Sequence, residues 1–231
     1  MKDRQDYSCA KHLVVHGRVI IVDVPLSTEK ANALSALATV DGKGSILLDA
    51  SKAAELLEVF FRRVIDENNN VLFVFPGNGA DYPRSLSAIC RETSSVEVFA
   101  KRLWTPGSEP IAIVGTFLPE PFMNLWVKTI VVVDDVISSG QTMFKLHQNN
   151  SWRFPKAKWI GATWVSQSLH AKSSSGIKGY SSVFASFLVE GQLNRKVPIN
   201  SLSTLREIPE MAKNYARRHY VDVGEFLRLI G

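Results

Sequence analysis

Apolar and polar positions along the chain alternate between two periods. Leu13-Val14-Val15 and Val19-Ile20-Ile21-Val22 flank His16-Gly17-Arg18, which predicts two short strands joined by a turn. A short helix is expected over 28–37 and a strand over Ser45–Leu48. The strongest helical pattern runs from Lys52 to Asp66. Leu56, Leu57, Phe60, Phe61, Val64 and Ile65 make one broad apolar face, Ser51 can cap the start, and Asn68-Asn69-Asn70 ends it. Val71–Phe75 is an unbroken apolar run, as suits a strand buried on both faces. Pro76-Gly77-Asn78-Gly79 breaks it, and a short helix is expected around Arg84–Cys90.

Further strands are predicted at Val96–Ala100, Ile111–Phe117, Thr129–Val133, Lys158–Val165 and Val183–Val189. Helices are expected from Gly140 to His147, from Glu207 to Tyr220 and from Gly224 to Leu229. The segments 105–110 and Lys172–Gly179 read as polar loops. Strands alternating with helices predict an α/β fold, with a mostly parallel central sheet flanked by helices. No repeat, low-complexity tract or clean domain boundary interrupts the pattern, so residues 1–231 are read as one domain.

Composition narrows the function classes only slightly. The chain is 45% hydrophobic and 21% charged, which fits a packed core and argues against disorder. No apolar run approaches the roughly 18 residues that span a bilayer. The charged start, MKDRQDYSCAKH, has no apolar core of a signal peptide, and the two cysteines, Cys9 and Cys90, make neither a disulfide framework nor a CxxC site. A cytoplasmic protein with reduced thiols is the expectation. The net charge of +5 suits an anionic partner, yet no nucleic-acid-binding motif accompanies it. His12, His16, His147, His170 and His219 show no metal-ligand spacing. The Arg217-Arg218-His219-Tyr220 run reads as the end of an amphipathic helix, and Trp164 reads as core.

The informative stretch is Ile130-Val131-Val132-Val133-Asp134-Asp135-Val136-Ile137-Ser138-Ser139-Gly140-Gln141-Thr142. A buried strand leads to two adjacent carboxylates, then to a small hydroxylic loop and a helix start. Ligands of open α/β sheets bind outside the carboxyl ends of the strands. The loop amides and the helix N-terminus suit a phosphate, and Gly140 lets backbone approach closely. Acids beside a phosphate nest make sense if the ligand turns hydroxyls or a hydrated cation toward them, as a ribose 5-phosphate would.

This stretch resembles the 5-phosphoribosyl-1-pyrophosphate (PRPP) signature of type I phosphoribosyltransferases, and all thirteen positions conform. The resemblance is firm over 128–146 and looser over 45–166. It implies a core at about 45–166 and a base-binding hood from 1–45, from 168–231, or from both. It implies transfer of the 5-phosphoribosyl group of PRPP to a nucleobase or other nitrogen nucleophile, with release of pyrophosphate. Asp134 and Asp135 would be catalytic, meeting the ribose hydroxyls directly or through Mg2+-bound water. The run Asp134, Asp135, Val136, Ile137, Ser138, Ser139, Gly140, Gln141 and Thr142 would hold PRPP, with the 5′-phosphate on Ser138–Thr142. By position, Gly77, Asn78, Gly79 and Arg84 would bind pyrophosphate. Lys101 and Arg102 would be catalytic residues beside the loop that closes the site. Mg2+ and a homodimer are implied as well.

Departures bear on the substrate. Ser138 stands where hypoxanthine-guanine enzymes of the family carry an acid, and Asp135 stands where uracil enzymes carry a proline. A non-enzymatic regulator of the same fold, binding PRPP or a nucleotide, is the alternative. A phosphorelay receiver also ends a strand in paired acids, but it needs a phosphoacceptor Asp further on, and after Asp135 the only Asp is Asp222.

Overall fold

A computed structural model describes residues 6–37, 44–103, 111–117, 126–167, 177–191, 197–218 and 221–231. The chain forms two compact units. One comprises Met1–Lys11 and Ala54–Leu188, the other His12–Ala53 and Val189–Gly231.

The first unit is built on a six-stranded sheet of order β1-β10-β9-β8-β4-β5, with β1 at Asp6–Val15, β4 at Val71–Pro76, β5 at Ser95–Val98, β8 at Thr129–Ile137, β9 at Lys158–Gln167 and β10 at Ser182–Gly191. The pairs β5–β4, β4–β8 and β8–β9 are parallel. The inner strands β4 and β8 read as continuous apolar runs because both their faces are covered. On one face, Phe61 of α2 (Ala50–Glu67) meets the Phe73 ring edge-on at 5.1 Å, and Phe60 stacks on Phe184 at 4.3 Å. On the other, Met143 and Leu146 of the helix Gln141–Asn150 pack with Leu72, Val74, Ile130 and Val132. Each such side chain, fully buried, contributes roughly 1.5–3 kcal/mol. The cap of α2 is Asp49, whose carboxylate accepts from the Ser51 amide at 2.8 Å, rather than Ser51 itself. The helix stops at an asparagine, as expected: Asn68 Nδ2 donates to the Val64 carbonyl at 2.8 Å, and Asn70 turns left-handed at φ 61°.

The expected strand Val96–Ala100 divides at Phe99. Residues up to Val98 pair with β4, whereas β6 (Ala100–Leu103) pairs antiparallel with β7 (Ile111–Val114) in a separate two-stranded sheet. The helix expected at Arg84–Cys90 is likewise two, α3 (Asp81–Leu86) and α4 (Ala88–Glu92), because Ser87 is extended and caps the second by accepting from the Cys90 amide.

In the second unit, β11 (Ile199–Ser201), β2 (Arg18–Val22) and β3 (Ser45–Asp49) form a parallel three-stranded sheet. The two strands expected around His16–Arg18 therefore enter different sheets. Ile20, Leu34, Leu205, Tyr215, Phe226 and Ile230 form the core under α1 (Thr28–Ala36) and the C-terminal helices. The helix expected at Glu207–Tyr220 is present as Pro209–Arg218, and an unexpected short helix, Leu202–Glu207, precedes it across Ile208. Asp23 reaches across 180 residues of sequence to accept from the Ser203 amide at 2.9 Å, which caps this short helix. Both cysteines are free. Among the described residues no helix is long and apolar enough to cross a membrane.

Candidate functional site

Two strand ends meet in the first unit. At the end of β4, Gly77 adopts φ 70° and donates its amide to the Val98 carbonyl at 2.9 Å. A Cβ there would sit 2.6 Å from the Ala100 carbonyl oxygen, so only glycine lets the chain turn this close to β6. The chain then coils into a short 3-10 turn, Asn78–Ala80. Gly79 faces the acid pair: a Cβ on it would lie 2.8 Å from Asp135 Oδ1 and 3.3 Å from Asp134 Oδ1. The turn singled out for pyrophosphate and the paired acids are thus adjacent, with both carboxylates on the Gly79 backbone.

The strand β8 runs further than its apolar run indicated. It includes Asp134 and Asp135 and ends at Ile137, because β9 continues to pair with it through Val136↔Val165 and Ile137↔Ser166. Asp134 is buried and Asp135 half-buried. Asp134 Oδ1 accepts from the Asp135 amide at 3.0 Å, and Asp135 Oδ1 accepts from the Val136 amide at 2.7 Å. Thr163 Oγ1 donates to the Asp135 carbonyl at 2.9 Å, which ties this backbone to the neighbouring strand.

Ser138, Ser139 and Gly140 then bridge to the helix Gln141–Asn150, hereafter α5. Gly140 occupies the N-cap at φ 70° and carries no side chain that could satisfy the first-turn amides. Ser139 is exposed, Ser138 half-buried and Thr142 buried. Ser139 Oγ accepts from the Gln141 amide at 3.5 Å, so this hydroxyl stands at the positive end of the α5 dipole.

The other candidates are placed differently. Arg84 pairs with Glu97, and its guanidinium lies 5.4 Å from the centre of the Phe75 ring, so its charge is already shared. Lys101 is exposed on β6 opposite Ile113, and the backbone of Arg102 pairs with Ala112. The side chains of Asn78 and Arg102 and the segment 105–110 lie outside the described residues. So does most of the polar stretch 172–179. Trp164 is fully buried, in keeping with a core role, yet among the described residues its Nε1 finds no hydrogen-bond partner, and neither does the Ser166 hydroxyl. Tyr180 was not legible as a site residue. Its hydroxyl donates to the Met143 carbonyl at 3.0 Å, and burial, with the charge of Asp134 adding to it, pushes its pKa well above the ordinary phenol value.

Comparison with known proteins gives only distant likeness. No family model matches the chain, and no curated protein matches it. Among solved structures it is similar to a hypothetical protein from Neisseria gonorrhoeae with bound ppGpp, at 15% identity over 93% of this chain and 96% of that one, with a TM-score of 0.45. It is similar to the xanthine-guanine-hypoxanthine phosphoribosyltransferase of Helicobacter pylori at 12% identity, over 85% and 96% of the two chains, with a TM-score of 0.44. The purine phosphoribosyltransferase of Pyrococcus horikoshii aligns at 15% identity over 65% and 87%, with a TM-score of 0.41. Likeness this remote leaves the chemistry to the chain's own side chains.

Proposed function

We propose that the protein is a phosphoribosyltransferase of the type I kind, which moves the 5-phosphoribosyl group of PRPP to a nitrogenous base and releases pyrophosphate. The observation that carries this reading is the approach of Asp134 and Asp135 to the space beside Gly79, with the short Ser138–Gly140 loop leading from their strand into α5. In this reading the 5′-phosphate lies on the Ser138–Thr142 amides and hydroxyls, and the ribose diol faces the two acids. Displacement at the anomeric carbon passes through an oxocarbenium-like state. The carboxylates stabilise positive charge developing on the ribose more than they stabilise the uncharged ground state, which is how binding becomes rate. Lys101 and Arg102 are proposed to meet the leaving pyrophosphate. Two adjacent carboxylates supply the hard oxygen donors that a divalent cation takes. Asp134 and Asp135 would hold Mg2+ through its water, and the ion would neutralise pyrophosphate charge.

A panel of nucleobases with PRPP and Mg2+, scored for pyrophosphate release, tests the proposal. The expected result is release with one base or a small set. Tight PRPP binding with a flat panel would replace the enzyme with a regulator of the same fold, a reading that the pairing of Arg84 with Glu97 favours. No PRPP binding at all would remove both readings.

The Gly79 contact yields a further expected result. In Gly79→Ala the methyl group needs the space of Asp135 Oδ1, which the Val136 amide holds in place. The affinity for PRPP with Mg2+ is expected to drop about tenfold, close to 1.4 kcal/mol. The thermal midpoint should stay near that of the parent protein. Titration calorimetry giving an unchanged affinity would show that the turn does not form part of the site.

A further inference from the structure

The turn Ile177–Ser181, which leads into β10, packs against the signature segment. Ile177 is 4% exposed. Its Cγ1 and Cδ1 lie 3.0 and 3.2 Å from where a Cβ on Gly140 would stand, so its side chain fills the space behind the left-handed glycine of the phosphate loop. Hydrogen bonds fix the turn, among them one from the Ser181 hydroxyl to the Trp159 carbonyl at 2.9 Å. The Tyr180 amide donates to the Ile177 carbonyl at 3.1 Å, the Tyr180 hydroxyl donates to the Met143 carbonyl at 3.0 Å, and the Ser181 amide donates to the Trp159 carbonyl at 2.8 Å. Gly179, at φ 95°, lies so close to the His147 ring that no side chain fits there, and the ring in turn meets Trp159 edge-on at 5.0 Å. The turn is thus pinned to the first turns of α5 and to the start of β9, and its leading side chain points at Gly140.

We propose that Ile177 is a positioning residue, and that the Ile177–Ser181 turn is a clamp holding the Ser138–Thr142 loop in its anion-receiving shape before any ligand arrives. The inference rests on the reading of that loop as the phosphate cradle. A loop of two serines and a glycine has little apolar burial of its own and would otherwise sample many backbone states. Ile177 removes that freedom from one side, so less conformational entropy is lost on binding. The clamp touches no reacting atom. Its loss therefore weakens binding and leaves the chemical step alone once ligand is bound.

The test compares the parent protein with Ile177→Ala, Ile177→Val and Tyr180→Phe, by amide hydrogen exchange without ligand and by steady-state kinetics with PRPP. In Ile177→Ala, exchange over 138–142 is expected to rise about tenfold while β8 and β4 are unchanged. The KM for PRPP should rise by a similar factor with kcat within about twofold, the mark of lost ground-state positioning. Ile177→Val, which keeps Cγ1, should restore both, and Tyr180→Phe should loosen the loop to a smaller degree. Unchanged exchange over 138–142, in Ile177→Ala or, should that variant not fold, in Tyr180→Phe, overturns the clamp. Uniformly faster exchange across β8 and α5 also overturns it, because Ile177 would then be ordinary core. If the loop alone loosens but the parent protein binds no PRPP, the clamp stands and the phosphoribosyltransferase reading falls.

Discussion

Asp134→Asn and Asp135→Asn are each expected to lower turnover by more than tenfold, a loss of at least about 1.4 kcal/mol of transition-state stabilisation. Asparagine keeps an oxygen at the Oδ1 position. The bonds from the Asp135 amide to Asp134 and from the Val136 amide to Asp135 can therefore persist, and the strand end keeps its shape. What disappears is negative charge beside the ribose, and with it the preference for an oxocarbenium-like state over the ground state. The effect should fall on kcat more than on the KM for PRPP. Stability should hardly change, since removing the charge of the buried Asp134 removes a desolvation cost while asparagine keeps the oxygen that the Asp135 amide donates to. Pyrophosphate release with the accepted base, alongside a thermal unfolding curve, checks both points. A double variant that turns over at the parent rate would remove the proposed mechanism.

The second large effect is Gly140→Val, for which PRPP binding is expected to be lost, with Kd raised at least about a hundredfold, or about 2.7 kcal/mol. Two penalties act together. The backbone at φ 70° is a conformation that a β-branched residue resists. The first added carbon also meets Ile177 at 3.0 Å, so the loop must move away from its partner. Calorimetry showing normal affinity would contradict the placement of the 5′-phosphate on this loop. Gly140→Ala should lie between the two, since it adds the backbone strain and the first contact without the branch.

Local pattern made much of this architecture legible. The run Ile130–Val133 identified a doubly buried strand because each side chain meets a helix-covered face. The α2 face was readable because Leu57, Phe60, Phe61 and Val64 recur at helical spacing. A glycine in the turn after the acids was readable in the same stretch, but what demands it in the fold is φ 70° and the Ile177 side chain behind it. Partners distant in sequence remained hidden. Nothing in Val96–Ala100 shows that pairing passes from β4 to β7 at Phe99, because the two-residue period runs on unchanged. Arg84 read as an available cation, but Glu97, on a strand with its own alternation, takes it up. Ile177 lies in a stretch of serines, lysines and glycines that reads as loop. Its importance comes from facing Gly140, which no spacing in that stretch encodes.

The parallel pairing of β11 with β2 also governs how the protein can be made. Ile199 sits beside Val19, and the C-terminal helices supply most of the core on which Ile20 and Leu34 rest. During synthesis β2 must therefore leave the ribosome with a bare apolar flank and wait until residues 199–230 follow it out. A chain stopped near residue 197 should thus lack support for β2 and α1, and nascent chains stalled there should be the species that chaperones hold and proteases find.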